Sequence, residues 1–161
     1  MSVQVEAADI LQIAMRIEEN GGNFYRYAVQ IAPEEDAKKM FADLAVEEDK
    51  HKETFKRMLS GVDRVEPPES FPGEYAAYLR NYTDNNIIFK KEVMDRELAK
   101  VKDTVSALEF AIRRELDSIL YYHELKNFLP RDQHGAVEEV INEERRHFSR
   151  LSKMKEQYGK G

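Results

Sequence analysis

The sequence contains no cysteine, which excludes disulfides, thiolate metal ligands and a thiol nucleophile. Any metal ion must then be held by oxygen and imidazole nitrogen. Glycine and proline are few, seven and five in 161 residues. Aromatic residues make up 10% against 35% charged, a balance that suits amphipathic helices and argues against a β-rich or disordered chain. There is no basic excess: the net charge is -6, and without a basic patch to meet phosphates no nucleic-acid role is expected. No apolar run approaches membrane-spanning length, and Met1-Ser2-Val3-Gln4-Val5-Glu6 lacks the basic start and apolar stretch of a secretion signal. The expectation is a cytoplasmic protein without a membrane span, folded as one domain over residues 1–161.

Helical periodicity is present in four long segments, over about residues 5–32, 34–59, 104–129 and 133–158. Ala32-Pro33-Glu34-Glu35-Asp36 places a proline in a first helical turn with acids behind it, which suits the positive end of a helix dipole. Leu129-Pro130-Arg131-Asp132 marks the matching turn in the second half. Gly61 is read as a left-handed cap, and Pro67, Pro68 and Pro72 stop a helix running on. Short helices are expected around 74–81 and 84–95, anchored by Tyr75, Tyr78 and Leu79, then Ile87, Ile88 and Phe89. The implied fold is all-α: a four-helix bundle of two helical hairpins joined by one long crossover.

The halves repeat. Ala14-Met15-Arg16-Ile17-Glu18 aligns with Ala111-Ile112-Arg113-Arg114-Glu115, Phe24-Tyr25 with Tyr121-Tyr122, and Pro33 with Pro130. After a one-residue slip, Glu47-Glu48-x-x-His51 aligns with Glu143-Glu144-x-x-His147. Hairpins so matched would pack about a pseudo-twofold axis. Each half thus pairs a lone glutamate on one helix with Glu-x-x-His on the next, the set that di-iron and di-manganese carboxylate bundles project inward.

Walking each helix in steps of three and four puts these residues on apolar stripes. Glu18 shares a face with Leu11, Ala14, Gly21, Gly22, Tyr25 and Ala28; Glu48 and His51 lie among Phe41, Leu44 and Phe55. Glu115 lies among Leu108, Ala111, Ser118, Tyr122 and Leu125; Glu144 and His147 lie among Val140, Ile141 and Leu151. Four carboxylates gathered in a core would repel one another and stay costly to bury. Two divalent ions cancel the four charges, while both histidines ligate as neutral rings. Oxygen and imidazole ligands suit iron or manganese, with copper and zinc as other occupants.

Tyr25 and Tyr122, seven residues after Glu18 and Glu115, either pack in the core or hydrogen-bond to a ligand. His123 and His134 have no partner at ligand spacing and are read as surface residues. Glu19, Glu47 and Glu143 point away from the stripe on an ideal helix, as solvated groups or partners of the ligands. Lys50, Lys52, Arg145 and Arg146 belong to the outer faces.

With these residues in view, the chain resembles the ferritin-like superfamily, and most closely the rubrerythrin group. The resemblance is carried by Ile17-Glu18-Glu19-Asn20-Gly21-Gly22-Asn23-Phe24-Tyr25, Leu44 to His51, Glu115 to Tyr122 and Glu143 to His147. It implies two iron ions per chain, with manganese or zinc as alternatives. Glu48 and Glu144 would bridge them, Glu18 and His51 completing one ion, Glu115 and His147 the other. It implies a homodimer, which the crossover residues Tyr78, Ile87, Ile88 and Phe89 would cover unless they close the end of the bundle. Two departures stand out. Rubrerythrins typically carry a four-cysteine rubredoxin-like module, absent from these cysteine-free residues, so electrons are expected from a separate donor protein. They also tend to have a redox-exchanging glutamate where this chain has Ser118. The implied activity is reduction of hydrogen peroxide or reaction with dioxygen. The alternatives are iron oxidation for storage or transfer, and a purely structural metal site.

Overall fold

The computed structural model describes residues 7–61, 71, 73–85 and 91–160, without eight side chains of the crossover. Every regular element among them is helical. Helix α1 (Ala7–Ile31) and α2 (Glu35–Leu59) form one hairpin. The crossover carries α3 (Glu74–Asn85) and α4 (Lys91–Leu98). Helices α5 (Thr104–Leu125) and α6 (His134–Tyr158) form the second hairpin. This is the two-hairpin bundle that the repeat implied.

The local chemistry explains most of the helix ends. Asp103 caps α5 by accepting from the Ser106 backbone N–H at 2.8 Å, while the Ser106 hydroxyl oxygen accepts from the Asp103 N–H at 3.2 Å, a reciprocal capping box. Glu35 and Asp36 occupy the first turn of α2, where the dipole favours acids. Pro33 differs from expectation: α2 starts at Glu35 with Glu34 as its cap, so the proline lies one residue before the cap rather than in the first turn. Gly61 also differs. Gly73, at φ 84°, is the one described glycine in the left-handed region. Helix α2 instead closes through right-handed Ser60, with the Gly61 N–H donating to Met58 O at 3.1 Å. The end of α5 tightens into a 3-10 turn at Lys126–Phe128 before Pro130, four residues earlier than the periodicity suggested. In the crossover, Asp84 and Asn85 extend α3 rather than starting the next helix, which begins at Lys91.

The core forms two apolar layers. One gathers Ile10, Leu11, Phe55, Tyr121, Phe128 and Ile141; the other gathers Phe24, Phe41, Leu44, Leu108, Phe110 and Leu151. Tyr75, Tyr78 and Tyr82 of α3 pack against the first layer, Met94 and Leu98 of α4 against the second. Tyr78 thus packs against its own bundle, while Ile87, Ile88, Phe89 and the three crossover prolines lie outside the described residues. Ile10, Ile17 and Phe24 broaden the buried face of α1 beyond the stripe traced from Glu18. A helix that touches both α2 and α5 buries more than a single stripe. No helix among the described residues is long and apolar enough to cross a membrane.

Candidate metal centre

Between the two layers each hairpin delivers three polar side chains. Glu18 comes from α1 with Glu48 and His51 from α2; Glu115 comes from α5 with Glu144 and His147 from α6. None of the six is more than 5% exposed. They fall into two overlapping groups, Glu18–Glu48–His51–Glu144 and Glu48–Glu115–Glu144–His147, each with its ligand atoms within 4.8 Å of one another. Glu48 and Glu144 belong to both. The imidazole rings stack with centroids 5.5 Å apart.

The atoms that face inward make no hydrogen bonds. Glu18 Oε2, Glu48 Oε1, both Glu144 oxygens and the Nδ1 atoms of His51 and His147 are buried without a partner. They crowd together: His51 Nδ1 is 2.7 Å from Glu144 Oε1, and His147 Nδ1 is 3.1 Å from Glu48 Oε1. Orphaned buried polar atoms are rare because each costs about 1–3 kcal/mol. Two cations placed among these six would satisfy them together, so the donor set fits a dinuclear metal site.

The outward ring nitrogens are held. His51 Nε2 lies 2.6 Å from Glu143 Oε2, and His147 Nε2 lies 2.7 Å from Glu47 Oε2. A carboxylate only accepts, so each Nε2 carries a proton, and with a metal bound each Nδ1 lone pair would turn to the centre, the usual orientation of a metal-binding imidazole. Both contacts run between α2 and α6. Glu47 is held further by Arg150 Nη1 at 3.1 and 3.3 Å. Burial raises the Glu47 carboxyl, but the His147 and Arg150 donors outweigh it and leave it below its ordinary range.

Both tyrosines bond to ligand glutamates across the hairpins. Tyr25 Oη donates to Glu115 Oε1, and Tyr122 Oη donates to Glu18 Oε1. Burial, then the adjacent carboxylates, pushes both phenols well above their ordinary range. They keep their protons. Both readings open from sequence hold: each ring packs in an apolar layer, and each phenol donates to a candidate ligand.

With no ion bound, protons must screen the carboxylates. Burial and the Glu144 and Glu115 neighbours shift Glu48 and Glu144: Glu48 rises well above its ordinary range through burial, Glu144 and Glu18, and Glu144 rises to about 8 through burial, Glu115 and Glu18. Burial alone would raise Glu115, but its Glu144 and His147 partners carry it down. Burial disfavours the charged His51 ring, yet the Glu144 and Glu18 carboxylates prevail and lift it to about 12; His147 rises for the same reason.

A cavity of about 30 Å³ reaches the centre between α1 and α5. Gly21, Tyr25, Glu48, Arg114, Glu115 and Ser118 line it, with Tyr82 of α3 and Met94 of α4. The histidines lie on the other side, toward α2 and α6. Ser118 turns its hydroxyl back to Arg114 O at 3.0 Å rather than toward the carboxylates.

The six candidate residues are thus brought together. His123, 3.4 Å from Arg145, and His134, 3.0 Å from Leu129 O, stand apart from them. Lys50, Arg145 and Arg146 are exposed, Lys52 is half-buried, and Glu19 pairs with Lys52 at 3.1 Å. Sequence left the roles of Glu47 and Glu143 open and missed Arg150. The signal was present in the repeated doublets Glu47-Glu48 and Glu143-Glu144, where the acid before each ligand recurs with it.

The rubrerythrin family model matches residues 9–103. A crystal structure from Thermotoga maritima, titled a ferritin-like diiron-carboxylate protein, is similar over 94% of this chain and 95% of its own, at 31% identity and a TM-score of 0.62. No curated protein matches the chain.

Proposed function

Because the chain belongs to the rubrerythrin family, we propose that its buried Glu/His centre is a di-iron oxidoreductase site that reduces hydrogen peroxide or reacts with dioxygen. Glu18, Glu48, His51, Glu115, Glu144 and His147 would hold the ions, with Glu48 and Glu144 shared between them. A diferrous pair supplies two electrons and Lewis acidity. Those two electrons, with two protons, would suffice to reduce one peroxide to two waters, and a separate donor protein would restore them.

The observation that carries this reading is the cavity opening onto the shared carboxylate Glu48. Its volume of about 30 Å³ accommodates roughly two water-sized groups, each needing about 10–15 Å³ by this measure. A peroxide or dioxygen molecule fits there. Tyr25 lines the same space and keeps a proton on Oη toward Glu115 Oε1, which orients Glu115 and places a donor beside the point of entry. The apolar layers on either side exclude bulk water.

The test is to load metal-free protein anaerobically with two ferrous ions per chain and mix it with peroxide or dioxygen in a stopped-flow instrument. Oxidation much faster with peroxide is expected. Comparable or greater speed with dioxygen favours an oxidase that reacts with dioxygen, or iron oxidation for storage or transfer, consistent with Ser118 where an exchanging glutamate is usual. No reaction with either leaves a structural metal site.

A further inference from the structure

We propose that Gly21 is a positioning residue for the dinuclear centre, because the space left by its absent side chain is the space that Glu48 occupies. The inference rests on the reading of Glu48 as a carboxylate shared by two metal ions. Glycine inside a helix is unfavourable relative to alanine, since it surrenders more backbone freedom on folding. Gly21 nonetheless sits in the middle of α1, one turn past Glu18 on the same face.

The geometry gives the reason. A Cβ on Gly21 would lie 2.7 Å from Glu48 Oε2 and 3.3 Å from its Cδ, inside the contact distance of a carbon and a carboxylate oxygen. The carboxylate has little freedom to retreat. Glu48 is 5% exposed, and its other oxygen already stands 3.1 Å from His147 Nδ1. Movement away from α1 drives that oxygen into the imidazole and the neighbouring Glu144.

Gly22 is the internal contrast. A Cβ there would meet Arg26 Nη2 at 3.0 Å and Asp49 Oδ1 at 3.2 Å. These are the ends of side chains about half exposed, at 49% and 54%, which can shift into solvent. Adjacent glycines therefore differ in what they protect. Ser118, at the position of the second hairpin equivalent to Gly21, is also small, and both line the cavity. A methyl group on Gly21 would displace the shared carboxylate and narrow the approach to it.

The test compares the parent with Gly21→Ala and Gly22→Ala, using cobalt(II) as the probe. Cobalt stoichiometry and affinity are measured by equilibrium dialysis, magnetic coupling between the ions by low-temperature spectroscopy, and metal-free stability by thermal melting. The parent and Gly22→Ala should each bind two coupled ions. Gly21→Ala should still melt cooperatively without metal, yet bind the second ion at least tenfold more weakly and lose the coupling. Two ions bound by Gly21→Ala with the affinity and coupling of the parent would overturn the inference. So would a metal-free Gly21→Ala that no longer melts cooperatively, which would assign the glycine to the folding of the helix, or an equal loss in Gly22→Ala. Failure of the parent itself to bind two ions overturns the underlying reading, and the inference with it.

Discussion

Replacing Glu144 with glutamine in the metal-free protein removes one of four buried carboxyls at nearly constant volume, and the effect on stability should depend on pH. Burial, with the Glu115 and Glu18 carboxylates, lifts the Glu144 carboxyl from an ordinary 4.5 to about 8. The folded state therefore holds this proton more tightly than the unfolded chain does. Stability is fully present below pH 4.5 and falls as the pH rises toward 8, because the unfolded chain can ionise and the folded one resists. Each unit in that window costs about 1.4 kcal/mol, so the parent gives up about 3 kcal/mol at pH 7. Glutamine has no such proton to retain, and its amide can donate to the neighbouring carboxylates. Glu144→Gln should therefore be more stable than the parent by about 3 kcal/mol at pH 7, and by less than about 1 kcal/mol at pH 5. Urea denaturation in the presence of a chelator at both pH values measures the difference. With ions bound the sign reverses, since the variant loses a shared ligand. A gain of equal size at the two pH values, or a loss at pH 7, refutes the reasoning.

Two further outcomes follow from hydrogen bonds. Tyr122→Phe removes the hydroxyl that Glu18 Oε1 accepts from; the metal-free protein should lose about 2 kcal/mol, as for a hydrogen bond to a charged group, while still binding two ions, checked by denaturation and metal analysis. Asp103→Ala removes the cap of α5, and should cost about 1 kcal/mol with no change in metal binding, measured by the same two methods.

The bundle and the six inward residues were legible because both rest on spacing. A period of 3.6 reports which face of a helix is buried, and a charge on that face at matching places in two hairpins has few structural uses. What spacing does not report is which helix lies opposite. That Glu143 would reach His51, and Glu47 His147, needed the packing of α2 against α6. Tyr25 and Tyr122 could not be separated from core aromatics until Glu115 and Glu18 were seen across the interface. Gly21 counted only as a small residue in a stripe, because its distance to Glu48 is a tertiary fact. The helix ends slipped where competing caps exist: Ser60 and the Gly61 N–H close α2 without a left-handed residue, and a 3-10 turn before Pro130 shortens α5.

Each imidazole and each phenol at the centre is held by a glutamate from the opposite hairpin. A hairpin that has folded alone therefore has its metal-facing atoms but none of the contacts that aim them. During synthesis the first hairpin would emerge with Glu18, Glu48 and His51 and still be a poor trap for a metal ion. Capture would have to wait for the second half to dock, so a metal pair would form only once the two apolar layers that shield it are in place.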